Sequence, residues 1–198
     1  MRPAVFIDRD DTLIATRDMT ADTDHVGDLV DPDLVRLIPG CGEACRLLAD
    51  TGVVLVVISN QGAVARGCAT LQTVEAVNDR IRHLLALAGA KLTSVYYAPH
   101  HPEGPVPEWT GNHNWRKPEP GMLLAAAKEL DIDLGASWAV GDAARDGLSA
   151  VTAGLPSSHV IIVGKGPGLW YPDLSAAVAV ILPQIQQQMD ALNNGGAG

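Results

Sequence analysis

Short apolar runs alternate along the chain with longer stretches in which apolar residues recur every three or four positions. The runs AVFID (4–8), VVLVVIS (53–59), SVYYA (94–98), SWAVG (137–141) and HVIIV (159–163) are continuous, the pattern of strands buried on both faces. Between them GCGEACRLLADTG (40–52), TLQTVEAVNDRIRHLLALAG (70–89), EPGMLLAAAKEL (119–130) and ARDGLSAVTAG (144–154) predict helices, with Gly52, Gly89 and Gly154 at their C-terminal caps. A last helix is predicted near LPQIQQQMDALNN, and residues 191–198 are expected to form a flexible Gly-rich tail. Strand–helix alternation of this kind predicts an α/β fold: a Rossmann-like parallel sheet with helices on both faces, in one domain over residues 1–190. No repeat or interdomain linker interrupts it.

Two segments break the alternation. Residues 15–38 are acidic and weakly periodic, and are expected to be either a lid or a surface excursion. Residues 99–118, PHHPEGPVPEWTGNHNWRKP, form a Pro-rich loop carrying His100, His101, His113, Trp109 and Trp115. Loops of this length in a compact domain are usually functional.

Ligands bind beyond the carboxyl ends of the strands in an open α/β sheet. The first strand ends in Asp8, Arg9, Asp10, Asp11 and Thr12, and the second in Ser59, Asn60 and Gln61. The long loop closes with Arg116 and Lys117, and the fourth strand ends in Gly141 and Asp142, with Asp146 shortly after. Acids from two strands, a hydroxyl, an amide and a cationic pair therefore meet on one edge. Clustered carboxylates repel one another and resist desolvation, so something must compensate them. Carboxylates at Asp8 and Asp142 suit Mg2+, a hard cation that prefers oxygen. One carboxylate can attack phosphorus, and a second, two residues on, can transfer the proton. Ser59 and Lys117 can then meet the phosphoryl oxygens.

Composition narrows the partners. The chain has 198 residues, 47% hydrophobic and 19% charged, which is a globular balance. A formal net charge of -9 makes nucleic acid a poor partner. No stretch approaches the ~20 apolar residues of a membrane span. Only Ala4 to Ile7 follow the first residues before the acids begin, so no signal peptide and a cytoplasmic location are expected. Cys41, Cys45 and Cys68 are expected to be buried thiols in a reducing compartment. His25 is expected at the surface, and Met19 and Met122 in packing.

The four elements DRDDT (8–12), Ser59, Lys117 and GDAARD (141–146), in this order at successive strand ends, resemble the motifs of the haloacid dehalogenase superfamily of aspartate-nucleophile phosphatases. SNQGAVARG (59–67), YYAPHHPEG (96–104), RKPEPGML (116–123) and AVGDAARD (139–146) are similar to its heptose bisphosphate and histidinol-phosphate phosphatase branch. The similarity spans about residues 3–165. It implies a fold with no large cap domain, in which the 99–118 loop covers the site. It further implies that Asp8 is the nucleophile and a Mg2+ ligand. Asp10 would be the general acid/base with its carbonyl on the metal, and Asp142 the third ligand. Ser59 and Lys117 would bind the phosphate, and Asn60, Arg66 and Arg116 the rest of the substrate, a solvated helix-start cation being the lesser reading of Arg66. Asp146 is expected to bond Lys117 or the backbone rather than the metal. The substrate implied is a small phosphorylated metabolite, a heptose 1,7-bisphosphate first and histidinol phosphate second. The protein acting on it would be a monomer or small homo-oligomer. A binding protein that has lost efficient turnover is the reading of another class, and the intact acids argue against it.

Three positions depart from the resemblance. The branch holds a structural zinc in this loop, but its ligand positions are here Ala98, His100, His113 and Trp115, of which only the two histidines can ligate. A structural zinc site needs four ligands, so no zinc is expected and the tryptophans and prolines are expected to pack the loop. Asp11 stands where glycine is usual, and is expected to face solvent or to brace its neighbours. Ala143 stands where a lysine is common, leaving Arg145 or Lys165 to compensate.

Overall fold

The computed structural model describes residues 1–164 and 171–195. Five parallel strands form one sheet: β1 (Ala4–Asp8), β2 (Val54–Asn60), β3 (Ser94–Ala98), β4 (Trp138–Gly141) and β5 (Val160–Ile162). Their order is β3-β2-β1-β4-β5. The chain walks outward from β1 through β2 to β3, then returns to the other side of β1 for β4 and β5. That reversal opens a crevice between the carboxyl ends of β1 and β4. Asp8 is the last residue of β1, and Asp142 directly follows β4.

Alternation of side chains across the sheet explains the unbroken apolar runs. Val5, Ile7, Leu55 and Val57 point into a core with Leu48 of helix α2 (Cys41–Asp50), Ile81 of α3 (Leu71–Leu87) and Ile181 of α6 (Leu174–Gly195). Ala4, Phe6, Val54, Val56 and Ile58 point into the opposite core, with Met122 of α4 (Gly121–Leu130) and Ala150 of α5 (Ala144–Ala153). The expected layers are thus present, with helices on both faces. A short helix, α1 (Thr16–Thr20), lies in the insert after β1.

Four details differ from the expectation. β3 is an edge strand, and Ser94, Val95 and Tyr97 are only half-buried, because less of the fold covers an edge. Helix α6 starts well before the predicted 182, at Leu174, and carries Pro183 inside it. Its buried stripe, Leu174, Ala177, Val178, Ile181, Ile185 and Met189, has helical spacing from the start. The Asp173 carboxylate accepts the Ala176 N–H in the first turn, at 2.9 Å. The same helix runs through Gly195, so residues 191–195 are helical rather than tail, and 196–198 lie outside the described residues. Cys41 and Cys45 are buried as expected, but Cys68 is only half-buried. Met19 and Met122 do pack, and His25 is exposed. Among the described residues no helix is long and apolar enough to cross a membrane.

Candidate active site

The sharp turn after β1 brings its acids into the crevice. The N–H groups of Leu13 and Ile14 both donate to the Arg9 carbonyl, and the Asp11 N–H to the Ile14 carbonyl. Asp8 is buried at the base of the crevice, beside Lys117. The Lys117 ammonium, 1% exposed, pairs with Asp8 and with Asp146 Oδ1 at 2.6 Å. Asp146 Oδ2 accepts the Ala143 N–H at 2.9 Å. Both Asp146 oxygens are therefore taken, by Lys117 and by the backbone. Gly141 permits this approach, since a Cβ there would lie 2.5 Å from that of Asp146.

Asn60 holds the lysine in place. Its Nδ2 donates to the Lys117 carbonyl, and its Oδ1 accepts the Lys117 N–H, both at 2.9 Å. The Asn60 amide is thus spent on main chain, one strand away from the loop it pins. Gly121 supports the same loop. A Cβ there would sit 2.3 Å from the Asn114 carbonyl oxygen, so the backbone of the loop can close only over glycine.

A second set of partners surrounds Asp10. Arg9, 1% exposed, donates from Nε and Nη2 to its two oxygens at 3.1 Å. Thr16 donates at 2.5 Å, Ser59 at 3.1 Å and Gln61 Nε2 at 2.8 Å. Arg9, Thr16 and Gln61 were not singled out in the sequence. An arginine set between two acids, and a glutamine two residues past Ser59 on the same strand side, were the available signals.

The environments of the acids differ. Burial pushes Asp8 up to about 7, with the neighbouring carboxylates of Asp146 and Asp10 adding to it and Lys117 opposing. Burial also raises Asp142, aided by Asp146 and opposed by Arg145 and Arg17. Burial would raise Asp10 too, but Arg9 and the Thr16 and Gln61 hydrogen bonds outweigh it and hold that carboxyl below its usual range. Burial disfavours the Lys117 charge, yet Asp8 and Asp146 more than restore it.

The donor set fits a hard cation. Oxygens of Asp8, Asp142 and Asp146 lie within 4.8 Å of one another. Asp142 Oδ1 is buried with no hydrogen-bond partner, a costly state for a carboxylate oxygen unless a cation completes it. A cleft of about 110 Å3 opens beside these acids, lined by Asp8, Asp10, Ser59, Asn60, Lys117 and Arg145 among others.

The flanking loops frame this cleft. At the four zinc positions of the resemblance, Ala98 is buried at the end of β3 and the His100 and His113 rings stack, centroids 3.8 Å apart. Trp109 meets His100 edge-on at 5.3 Å, and Trp115 meets Tyr96 at 6.0 Å. Burial and the neighbouring His113 hold His100 below its usual range. The His100 carbonyl in turn accepts from Arg116 Nη1 at 2.9 Å, so the aromatic stack carries an arginine. Arg66 is not solvated but paired with Asp28 of the insert at 2.6 Å. Thr16, Arg17 and Gly27 of the insert also border the cleft or its acids, so these parts of residues 15–38 adjoin the site, while residues 21–27 are exposed. Asp11 contacts Arg17 instead of bulk solvent. Arg145 reaches the cleft past Ala143, while Lys165 lies outside the described residues.

A parallel sheet with this switch point, a strand-end Asp8 paired with a buried lysine, Asp142 close beside it and a serine at the next strand end together define a phosphatase of the haloacid dehalogenase superfamily, a phosphoric monoester hydrolase. Residues 4–158 match the family model described as polynucleotide kinase 3 phosphatase, and the chain belongs to that family. It is 37% identical over 163 residues to the D-glycero-beta-D-manno-heptose-1,7-bisphosphate 7-phosphatase of Yersinia pestis, covering 82% of each chain. Its fold matches a protein from Mesorhizobium loti described as a HAD-like phosphatase (TM-score 0.80, 32% identity, 94% of this chain and 87% of that one). It also matches a D,D-heptose 1,7-bisphosphate phosphatase from B. bronchiseptica complexed with magnesium and phosphate (TM-score 0.74, 26% identity, 92% and 99%).

Proposed function

We propose that this enzyme removes the 7-phosphate of D-glycero-D-manno-heptose 1,7-bisphosphate, with Asp8 as nucleophile and Mg2+ held by Asp8, the Asp10 carbonyl and Asp142. The observation that carries the mechanism is the pairing of a buried Asp8 with a buried Lys117 beside the partnerless Asp142 oxygen. When bound, the metal would screen the acids from each other and from the incoming phosphate. Lys117 and Ser59 meet the phosphoryl oxygens while Asp8 attacks phosphorus and the ester bond breaks, leaving an aspartyl-phosphate. Asp10 gives the leaving alcohol its proton, then takes one from the water that releases phosphate. Its low resting affinity for a proton suits the second step. The charge of the entering phosphate raises that affinity for the first.

The relatives' names support the substrate, and Arg66 and Arg116, held on neighbouring loops by Asp28 and the His100 carbonyl, are the cations this reading assigns to the rest of a sugar bisphosphate. A long polyanion such as a nucleic acid is a poorer fit to a chain of net charge -9. A soluble phosphosugar also fits a cytoplasmic enzyme acting as monomer or small homo-oligomer.

The test is phosphate release with Mg2+ across heptose bisphosphate, other phosphosugars and histidinol phosphate. Heptose 1,7-bisphosphate is expected to show the highest kcat/KM. A clear preference for histidinol phosphate or another ester would replace the substrate, and binding without release would make the protein a receptor.

Proton linkage gives a further prediction. Asp8 and Asp142 both have folded-state proton affinities above the unfolded carboxylate value, so the metal-free protein holds extra protons between about pH 4 and 7. A divalent cation must expel them. Mg2+ affinity is expected to rise as pH increases through that window and to level off above it. Calorimetric titration in buffers of different ionisation enthalpy reads the released protons directly. Affinity independent of pH between 5 and 7 would refute the linkage.

A further inference from the structure

Asp11 breaks a local rule. Its φ is +59°, and it is one of only two non-glycine residues in the left-handed region among those described. Glycine would sit there without strain, so the side chain needs a reason to be present. Asp11 Oδ1 accepts the Arg17 N–H at 2.9 Å, and Oδ2 lies 3.2 Å from Arg17 Nε. One carboxylate thus fixes both the main chain at Arg17 and the root of its guanidinium.

The far end of that guanidinium is poorly satisfied. Arg17 Nη1 stands 3.7 Å from Asp142 Oδ2, and from the other wall Arg145 Nη2 stands 3.9 Å from Asp142 Oδ1. Both distances are too long for hydrogen bonds. The two side chains are 66% and 47% exposed and line the same cleft as Asp8, Ser59 and Lys117. The remaining cations are more fully engaged. Lys117 lies between two carboxylates, Arg66 is paired with Asp28, and Arg116 donates to the His100 carbonyl. Arg116 is also held below its ordinary range by burial and by the charges of Arg66 and Arg145. Like charges gathered at one opening favour an anion there.

We propose that Arg17, held in place by Asp11, is a specificity-determining residue that binds a second phosphate on the leaving part of the substrate, with Arg145 facing it across Asp142. The inference deepens the sugar-bisphosphate reading and rests on it. A guanidinium fork matches phosphate oxygens in a way a lysine does not. Fixing Nε from behind leaves both Nη groups without a hydrogen bond among the described residues, at the cleft beside Asp142, so less freedom is lost on binding. Asp11 acts through Arg17 and is a positioning residue.

The experiment compares kcat and KM on heptose 1,7-bisphosphate and on p-nitrophenyl phosphate, whose leaving group carries no second phosphate, for wild type, Arg17→Ala, Arg17→Lys, Asp11→Gly and Asp11→Asn. Thermal unfolding confirms that each variant folds. In Arg17→Ala the ratio of kcat/KM for the bisphosphate to that for the aryl ester is expected to fall about tenfold, through KM. Arg17→Lys should recover part of the ratio. Asp11→Gly should move it the same way as Arg17→Ala, although glycine relieves the backbone. An unchanged ratio, or an equal fall for both substrates, overturns the inference. Should wild type prefer another sugar bisphosphate, the heptose reading fails while Arg17 is tested on that compound. A wild-type preference for monophosphates overturns the role of Arg17 itself.

Discussion

Asp8→Asn is expected to abolish phosphate release while leaving the fold intact. The substitution keeps the shape of the side chain at the end of β1, so the packing of that strand against Ile58 and Val140 is untouched. What it removes is the oxygen that would attack phosphorus and one ligand of the proposed cation site. An amide is a poor nucleophile and a weak ligand for a hard cation. Loss of a covalent nucleophile commonly costs at least ~10^4-fold in turnover. The cost in stability should be smaller than that of losing Lys117, because the ammonium keeps Asp146 as its partner and the amide oxygen can still accept its hydrogen bond. Phosphate release with saturating Mg2+, beside a denaturant melt of the same preparation, decides both halves. Turnover within tenfold of wild type would remove Asp8 as nucleophile. An unfolded variant would show instead that the Asp8–Lys117 pair is structural first.

The strands that carry this site were legible because their environment is uniform. A strand buried on both faces must be apolar at every position, and β1 and β2 are so up to the residues that enter the crevice. The polar residues stand out against that background, so Asp8, Ser59, Lys117 and Asp142 could be named before any coordinates. Asp146 was legible in the same way, and its expected bonds to Lys117 and to the backbone are both present. What was hidden depends on contacts distant in sequence. Arg9 sits in plain view between two acids, yet its partners Asn78 and Gln61 come from other elements. Asp28 gave no sign of facing Arg66, because the insert has too little periodicity to be placed. The start of α6 was missed for another reason. Its first turns, rich in alanine and valine, lack the charged face that makes an amphipathic helix easy to read.

Lys117→Met is expected to lose both activity and stability, and the pH dependence of the loss separates the two roles of the ammonium. Lys117 and its partners Asp8 and Asp146 are all 5% exposed or less. Methionine fills nearly the same volume but leaves two buried carboxylates with no cation between them. Removing one partner of a buried ion pair costs about 3–5 kcal/mol. The acids can escape part of that cost by taking up protons. Asp8 already has a raised proton affinity with Lys117 in place, and without the ammonium it must rise further. A group with a raised folded-state pKa contributes stability that is present below its unfolded value and lost as pH climbs through the folded one. The deficit of the variant relative to wild type should therefore be small near pH 5 and grow through pH 7 toward its full size at pH 8. Denaturant unfolding of the metal-free proteins at these values measures it. Adding Asp146→Asn removes one of the stranded charges and should return part of the stability at pH 8. It should return none of the turnover, because no cation is restored to meet the phosphoryl oxygens. A variant as stable as wild type at pH 8 would mean that the carboxylates find water or another cation. Turnover recovered in the double variant would mean that Lys117 served only to hold the acids together.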